Sequence, residues 1–469
     1  MLGEDVLYLP VTGLARRLEQ RQLSPVELTE SYLARIAQHG ARLNAFATVT
    51  AELAREQARQ AEDEIARGAY RGPLHGIPYA AKDLLATRGI PTTWGARPYE
   101  KQVFDYDADV ISNLRQAGAV LLGKLAMVEL AGGLGYSFAD ASLQGPGRNP
   151  WDPERWTGGS SSGPGAAVAA GLVGFAVGSE TWGSIVCPSS FCGVTGLRPT
   201  FGRVSRRGAM ALSWTMDKLG PMARSAADCR LALRGMAPPP PAAGGAPAGR
   251  AAPPDDLEPA RPTPLQLRVG YLPLDFTKNG EKEVDRAVRA AVDELRSAGL
   301  QVEEAKLPEG PWEEAALTVI STEAVSSFEG LFRDGRVKLL SDRKAPFQER
   351  LADEIRGRDY VRAMRVRSVL LERMQELFGK YDLLLSPGMQ YVSTPLPADL
   401  NKALAGSDPL GGIGNLLGLP ALCVPCGQGA HGLPVAMVLV GPLGGERDLL
   451  QVGELYQGRT HWTEKHPTL

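Results

Sequence analysis

The sequence predicts an α/β fold on three observations. The first 70 residues carry helical periodicity, residues 72–225 consist of short apolar runs broken by glycine-rich turns, and the second half returns to each texture in turn. The clearest early helix begins at Ser24, with Pro25 in the first helical position and Glu27 completing a capping box. Leu28, Tyr32 and Ile36 then recur on one face. A second helix, rich in Ala, Glu and Arg, runs from about Ala51 to a terminating Gly68. From Gly72 to about Ser225 the pattern is that of a sheet whose functional loops lie at strand ends. Residues 237–264 follow, 21 of 28 being Pro, Ala or Gly, and read as a surface insertion or linker too poor in large apolar groups to bury a core. Leu267 to Tyr271 starts a strand, Lys282 to Ala298 is helical, and so is the stretch from about Ala315 to Gly379. Asp382 to Ser386 is a last apolar strand, and the glycine-rich segment Leu410 to Gly441 resumes the sheet texture.

Composition narrows the function. The chain has 469 residues, 43% hydrophobic and 22% charged, with a net charge of -2, the profile of an ordinary globular protein. No Lys/Arg cluster suggests nucleic acid as a ligand. No stretch approaches the roughly 20 apolar residues of a membrane span; Ala166 to Val177, the most apolar, is short and broken by Gly171 and Gly174. Met1 to Asp5 is acidic where a signal peptide is basic, so a cytoplasmic location is expected. Five cysteines fit reduced thiols better than a disulfide framework. Cys423 and Cys426 form a C-x-x-C without a second ligand pair or a thioredoxin-like context, and read as small buried side chains of a strand. Neither a metal nor an organic cofactor is suggested.

The strongest local signal is Gly158-Gly159-Ser160-Ser161-Ser162-Gly163, followed by Gly178-Ser179-Glu180-Thr181-Trp182-Gly183-Ser184-Ile185. Glycine allows backbone N–H groups to approach a reacting oxygen. No Gly-Lys-Ser/Thr closes the first cluster, so it is not a phosphate-binding loop. It does satisfy G-x-S-x-G, the nucleophile elbow of α/β-hydrolases, but that elbow needs a strand immediately before it. Asn149 to Trp156 is polar and broken by proline, and of the five histidines only His431, His461 and His466 follow. A serine nucleophile would then need another base, and a lysine made neutral by burial can serve. Lys82 is the candidate, at the end of the apolar run Gly76-Ile77-Pro78-Tyr79-Ala80-Ala81 and beside Asp83. The plain alternative is a surface lysine paired with that carboxylate.

These segments resemble the amidase signature family, and the resemblance extends in order through nearly the whole chain. It covers Gly72 to Asp83, Gly123-Lys124 with Asn149-Pro150-Trp151, Gly158 to Pro199, Asp217 to Ser225, Asp382 to Pro387, and Asn415 to Gly441. The last contains Leu417-Gly418-Leu419-Pro420-Ala421 and Gly432-Leu433-Pro434-Val435. The resemblance implies a large twisted mixed β-sheet surrounded by α-helices in a single domain over 1–469. Within it lie N-terminal helices (1–70), a catalytic core (71–236), the insertion (237–264), a helical cover (265–380) and a C-terminal part of the core (381–469). It further implies a Ser-cisSer-Lys triad, with Ser184 as nucleophile, Ser160 as the bridging serine after a cis peptide bond, and Lys82 as base. Ser160 and Ser184 are 24 residues apart, as in the family. The oxyanion hole falls on the backbone N–H groups of Thr181, Trp182, Gly183 and Ser184, and Ala131 falls on a substrate-facing backbone position. Burial of Lys82 is therefore expected, because it must lose several units from about 10.4 to act near neutral pH.

The sequence departs from the family at the nucleophile. Where Thr-Asp, a variable residue and Gly-Gly-Ser-Ile-Arg are usual, this chain has Ser179-Glu180-Thr181-Trp182-Gly183-Ser184-Ile185-Val186. Trp182 is expected to shape the acyl pocket and contact substrate. Val186 removes the arginine that would pair with the carboxylate at Glu180, leaving Glu180 to find another partner or stay protonated. The implied activity is that of an amidase acting on linear, non-peptide C–N bonds of a small-molecule amide; esters and carbamates share the acyl-enzyme route. The resemblance leaves homo-oligomerisation open. Two alternatives stand beside it. One is the glutaminase subunit of a tRNA-dependent amidotransferase, disfavoured because Tyr360-Val361-Arg362-Ala363-Met364-Arg365 stands where an arginine anchor for the glutamine carboxylate is usual, which suggests a more apolar substrate. The other is a silent relative that only binds, opposed by retention of Lys82, Ser160 and Ser184 together.

Overall fold

Thirteen strands are present among the described residues, 2–237, 257, 266–273, 280–404 and 409–469, of the computed structural model. They are β1 (Phe46–Val49), β2 (Pro78–Lys82), β3 (Val120–Leu125), β4 (Arg148–Asn149), β5 (Asp152–Trp156), β6 (Phe175–Glu180), β7 (Thr195–Arg198), β8 (Lys218–Ala223), β9 (Arg268–Tyr271), β10 (Gln301–Glu304), β11 (Leu383–Pro387), β12 (Ala421–Gln428) and β13 (Pro434–Val440). Eleven of them form one mixed sheet in the order β1-β3-β2-β6-β8-β7-β12-β13-β11-β9-β10, and β4 and β5 form a separate ribbon. Strands β2, β3, β6 and β8 are buried along their whole length, which explains why they read as continuous apolar runs rather than alternating ones. The pairs β2·β3 and β2·β6 are parallel, so Lys82 and Glu180 end neighbouring strands on one rim of the sheet. The antiparallel neighbour β8 starts at that rim, with Lys218 opposite Glu180.

Helices cover the sheet. The one at Pro25–His39 is capped by Ser24, whose hydroxyl accepts from the N–H groups of Val26 and Glu27 at 3.1 Å each. The reciprocal half of the expected capping box, a bond from the Ser24 N–H to the Glu27 side chain, does not occur among the described residues; the Ser24 hydroxyl instead donates to Glu62. Leu28, Tyr32 and Ile36 are buried, and the helix Ala51–Ala66 ends before Gly68, at φ 81°. Of the stretch read as a helical cover, 265–380, the strands β9 and β10 belong to the large sheet, and helices Trp312–Ser327, Glu329–Arg333, Gln348–Asp353 and Gly357–Phe378 follow them. This helical stretch meets the segment after β3 where Glu129 accepts the N–H groups of Ser341 and Asp342, both at 2.8 Å. Among the described residues no helix is long and apolar enough to cross a membrane.

Three expectations need correction or restriction. The segment Leu410 to Gly441 is not sheet throughout: Pro409–Leu417 is a helix, and only then do β12 and β13 follow. A strand does precede the Gly/Ser cluster, since Asp152–Trp156 is β5; proline is tolerated because this strand belongs to a two-stranded ribbon. The insertion read over 237–264 lies outside the described residues apart from Ala237 and Leu257. Cys423 and Cys426 are buried in β12 with free thiols.

Candidate active site

Lys82 ends β2 with none of its surface exposed. Its amine meets three hydroxyl oxygens: Ser160 Oγ at 2.7 Å, Ser179 Oγ at 2.9 Å and Ser161 Oγ at 3.0 Å. No carboxylate pairs with it among the described residues. Burial lowers its pKa to about 7, against the weaker opposing pull of Asp217 and Glu180. The neighbouring carboxylate is occupied elsewhere. Asp83 Oδ1 lies 3.1 Å from Lys124 Nζ, while its Oδ2 accepts from the Thr93 N–H at 2.9 Å and from the Thr93 hydroxyl. The surface Lys-Asp pair is thus not what the chain builds.

The Gly/Ser cluster is the turn into the helix Ser162–Ala169, and its Gly159–Ser160 peptide bond is cis. Ser161 is fully buried, bonded to Lys82 and to the Ser179 carbonyl at 3.1 Å, which is the opposite of an exposed nucleophile elbow. The chain leaving β6 turns at Gly183, whose φ of 76° favours glycine and whose missing Cβ would meet nothing within 4 Å. Among the described residues, the N–H groups of Thr181, Trp182, Gly183 and Ser184 donate no hydrogen bond. Ser184 is 7% exposed; its carbonyl accepts from Ser161 N at 3.3 Å, and its hydroxyl has no hydrogen-bond partner among the described residues. The structure therefore joins Lys82 to Ser160 directly and sets Ser184 beside Ser161 without a bond from Ser160 to Ser184.

The missing arginine at position 186 is replaced from another strand. Glu180, fully buried, receives Arg198 Nη1 at 2.6 Å and Asn415 Nδ2 at 2.9 Å, and accepts the N–H groups of Ile185 and Val186 at 2.7 and 3.0 Å. Burial pushes this carboxyl up, but Arg198 and the hydrogen bonds outweigh it and hold the pKa at about 2. Glu180 is therefore ionised, which answers the choice left open by the sequence.

Ala131 adopts φ 55° and lines a cavity of about 180 Å³ together with Ser179, Thr181, Met210, Leu212 and Arg206. Trp182 packs elsewhere, with Trp312 and the helix Pro409–Leu417; a Cβ at Gly412 would lie 2.3 Å from the Trp312 ring and 3.0 Å from that of Trp182. Sequence reasoning missed Ser179 and Ser161 as acceptors for Lys82, Arg198 and Asn415 as partners of Glu180, and Arg206. Only Ser179 and Ser161 carried a usable signal, their place inside the two Gly/Ser segments. No group of three or more His, Cys, Asp or Glu suited to a metal ion occurs among the described residues.

The family model described as Amidase matches residues 27–450. The chain is 37% identical to a subunit of the glutamyl-tRNA(Gln) amidotransferase of Methylococcus capsulatus over 97% of both chains. Among solved structures it resembles the native peptide amidase of Stenotrophomonas maltophilia (30% identity, TM-score 0.83, covering 96% of this chain and 97% of that one). It also resembles a 6-aminohexanoate cyclic dimer hydrolase complexed with substrate (26% identity, TM-score 0.83, 98% and 99% coverage).

Proposed function

This chain belongs to the Amidase family, the amidase signature enzymes, and on that premise we propose that it hydrolyses an amide C–N bond through an acyl-enzyme on Ser184. The observation that carries the reading is Lys82: a buried amine facing three hydroxyls, with a pKa near 7. Neutral Lys82 takes a proton from Ser160, which takes one from Ser184 as that oxygen attacks the carbonyl carbon. The free N–H groups of Thr181, Trp182, Gly183 and Ser184 receive the negative charge that develops on the carbonyl oxygen. Reversing the relay protonates the leaving amine, and water then enters by the same route to release the acid. The Ser160–Ser184 bond forms as substrate fills the site, since catalytic hydrogen bonds commonly tighten only in the complex. Esters and carbamates would follow the same path.

The test is intact mass spectrometry after fluorophosphonate treatment. A single adduct is expected, absent in Ser184→Ala and formed far more slowly in Lys82→Ala. An adduct on Ser161, or none on folded wild type, would overturn the triad. The relatives favour a second reading, a glutaminase working as one component of an assembly, since the first curated relatives are named as one subunit of the glutamyl-tRNA(Gln) amidotransferase. Hydrolysis of L-glutamine that outpaces all simple amides would favour it.

A further inference from the structure

We infer that Arg206 anchors a carboxylate at the far end of a short aliphatic acyl chain, so that the preferred substrates are monoamides of short dicarboxylic acids. This rests on the proposal that Ser184 is acylated. The cavity of about 180 Å³ is small for a ligand site, commonly about 300–1,000 Å³, so it suits an acyl chain of a few carbons. Ser179, which touches Lys82, and Thr181, the first of the free N–H donors, place it against the reacting groups. Leu84, Met210, Leu212 and Leu219 make its walls apolar.

Its charged groups differ in what they have left to offer. Asp217 has both oxygens taken: Oδ1 by the Thr181 hydroxyl at 2.6 Å, Oδ2 by the N–H groups of Leu212 and Ser213 at 2.9 and 3.0 Å. Glu323, the other carboxylate near Arg206, is buried and accepts from Ser213, from the N–H and hydroxyl of Thr215, and from Tyr360, with Arg367 nearby. Arg206 forms no ion pair among the described residues. Its Nη1 donates to the Trp214 carbonyl, and its guanidinium carbon lies 4.4 Å from the centroid of the Phe201 ring, which holds it in place. The remaining donors of this fixed fork are those a carboxylate takes in a bidentate pair. Among the described lining residues the one carboxylate, Asp217, already accepts from Thr181, Leu212 and Ser213, so the larger unmet capacity of this site is that of a cation for an anion.

The experiment compares kcat/KM for the monoamide of glutaric acid, for neutral pentanamide and for L-glutamine. Protection of Ser184 from fluorophosphonate is the readout for any amide that binds without turnover. The glutaric monoamide should exceed pentanamide by at least about tenfold, the scale of a hydrogen bond to a charged group. That ratio should fall towards one in Arg206→Gln and be partly kept in Arg206→Lys. A merely structural role for Arg206 would lower both amides together and leave the ratio unchanged, which overturns the proposal. So does a wild-type ratio of one or less, or L-glutamine surpassing the glutaric monoamide. Failure of fluorophosphonate to label Ser184 in the folded enzyme without any amide present, together with no turnover, would instead bring down the hydrolase reading itself.

Discussion

At the scale of single residues, the proposed relay makes Lys82 the group that sets the response of the rate to pH. The base must be neutral, so log kcat/KM should climb with a slope near one through about pH 7 and level off above it. A rate that is flat from pH 5.5 to 8.5 would remove lysine as the base. The same depression affects stability. The folded chain binds fewer protons at Lys82 than the unfolded chain between about pH 7 and the ordinary value of 10.5, so this group makes stability rise with pH across that window. Thermal denaturation at pH 7 and pH 9 should show a smaller rise for Lys82→Met than for wild type. Because Trp182 packs against Trp312 and Gly412 away from the cavity lined by Ala131 and Arg206, Trp182→Gly should leave relative rates across acyl groups of different bulk nearly unchanged; rates that shift with bulk would put Trp182 back in the acyl pocket. The resemblance singles out Lys82, Ser160 and Ser184 because each stands in one of the family's segments, and the structure brings Lys82 to Ser160. Ser179 as a third acceptor was not legible in the sequence, because only the pairing of β2 with β6 brings it to Lys82 across 97 residues.

At the scale of elements, the turn after β6 is held by a carboxylate rather than by its own side chains. Glu180 gathers the N–H groups that open the next helix, and Arg198 from β7 and Asn415 from the helix Pro409–Leu417 close around it. Arg198→Met strands a buried charge and should cost about 3–5 kcal/mol in a denaturant titration. Adding Glu180→Gln to it should recover part of that loss. With a folded pKa near 2, Glu180 contributes stability that is present above about pH 4.5 and fades as the pH falls towards 2. Glu180→Gln should flatten acid unfolding in that range. Helix and strand textures gave most elements within a few residues: Lys282–Ser297 and Arg268–Tyr271 lie where their periodicity puts them. The helix Pro409–Leu417 escaped notice because three of its nine residues are glycine, which lowers helix propensity by about 1 kcal/mol each relative to alanine; packing against Trp312 and Arg198 overrides that cost.

At the scale of the molecule, the sheet divides by chain order. Residues 46–223 supply β1-β3-β2-β6-β8-β7 as one block and residues 268–440 supply β12-β13-β11-β9-β10 as another; within the sheet, among the described residues, the two join where β7 pairs with β12, Arg198 opposite Ala421. The pattern of apolar runs in the sequence does not contain this seam, because strand order depends on pairings far apart in the chain. All of Lys82, Ser160 and Ser184 lie in the first block, while Asn415 and the Leu419 carbonyl that receives Arg198 come with the second. A fragment of residues 1–237 should therefore present the unpaired edge of β7 and associate with itself in size-exclusion chromatography. A monomeric, well-folded fragment would show that the edge needs no partner.

The seam also sets an order of events during synthesis. A chain growing from its amino end finishes its chemical groups early and receives the strand that covers their margin last. Between the synthesis of Arg198 and that of Ala421 the first block carries a strand edge without its neighbour, and such an edge is prone to pair with other chains until the closing hairpin is made.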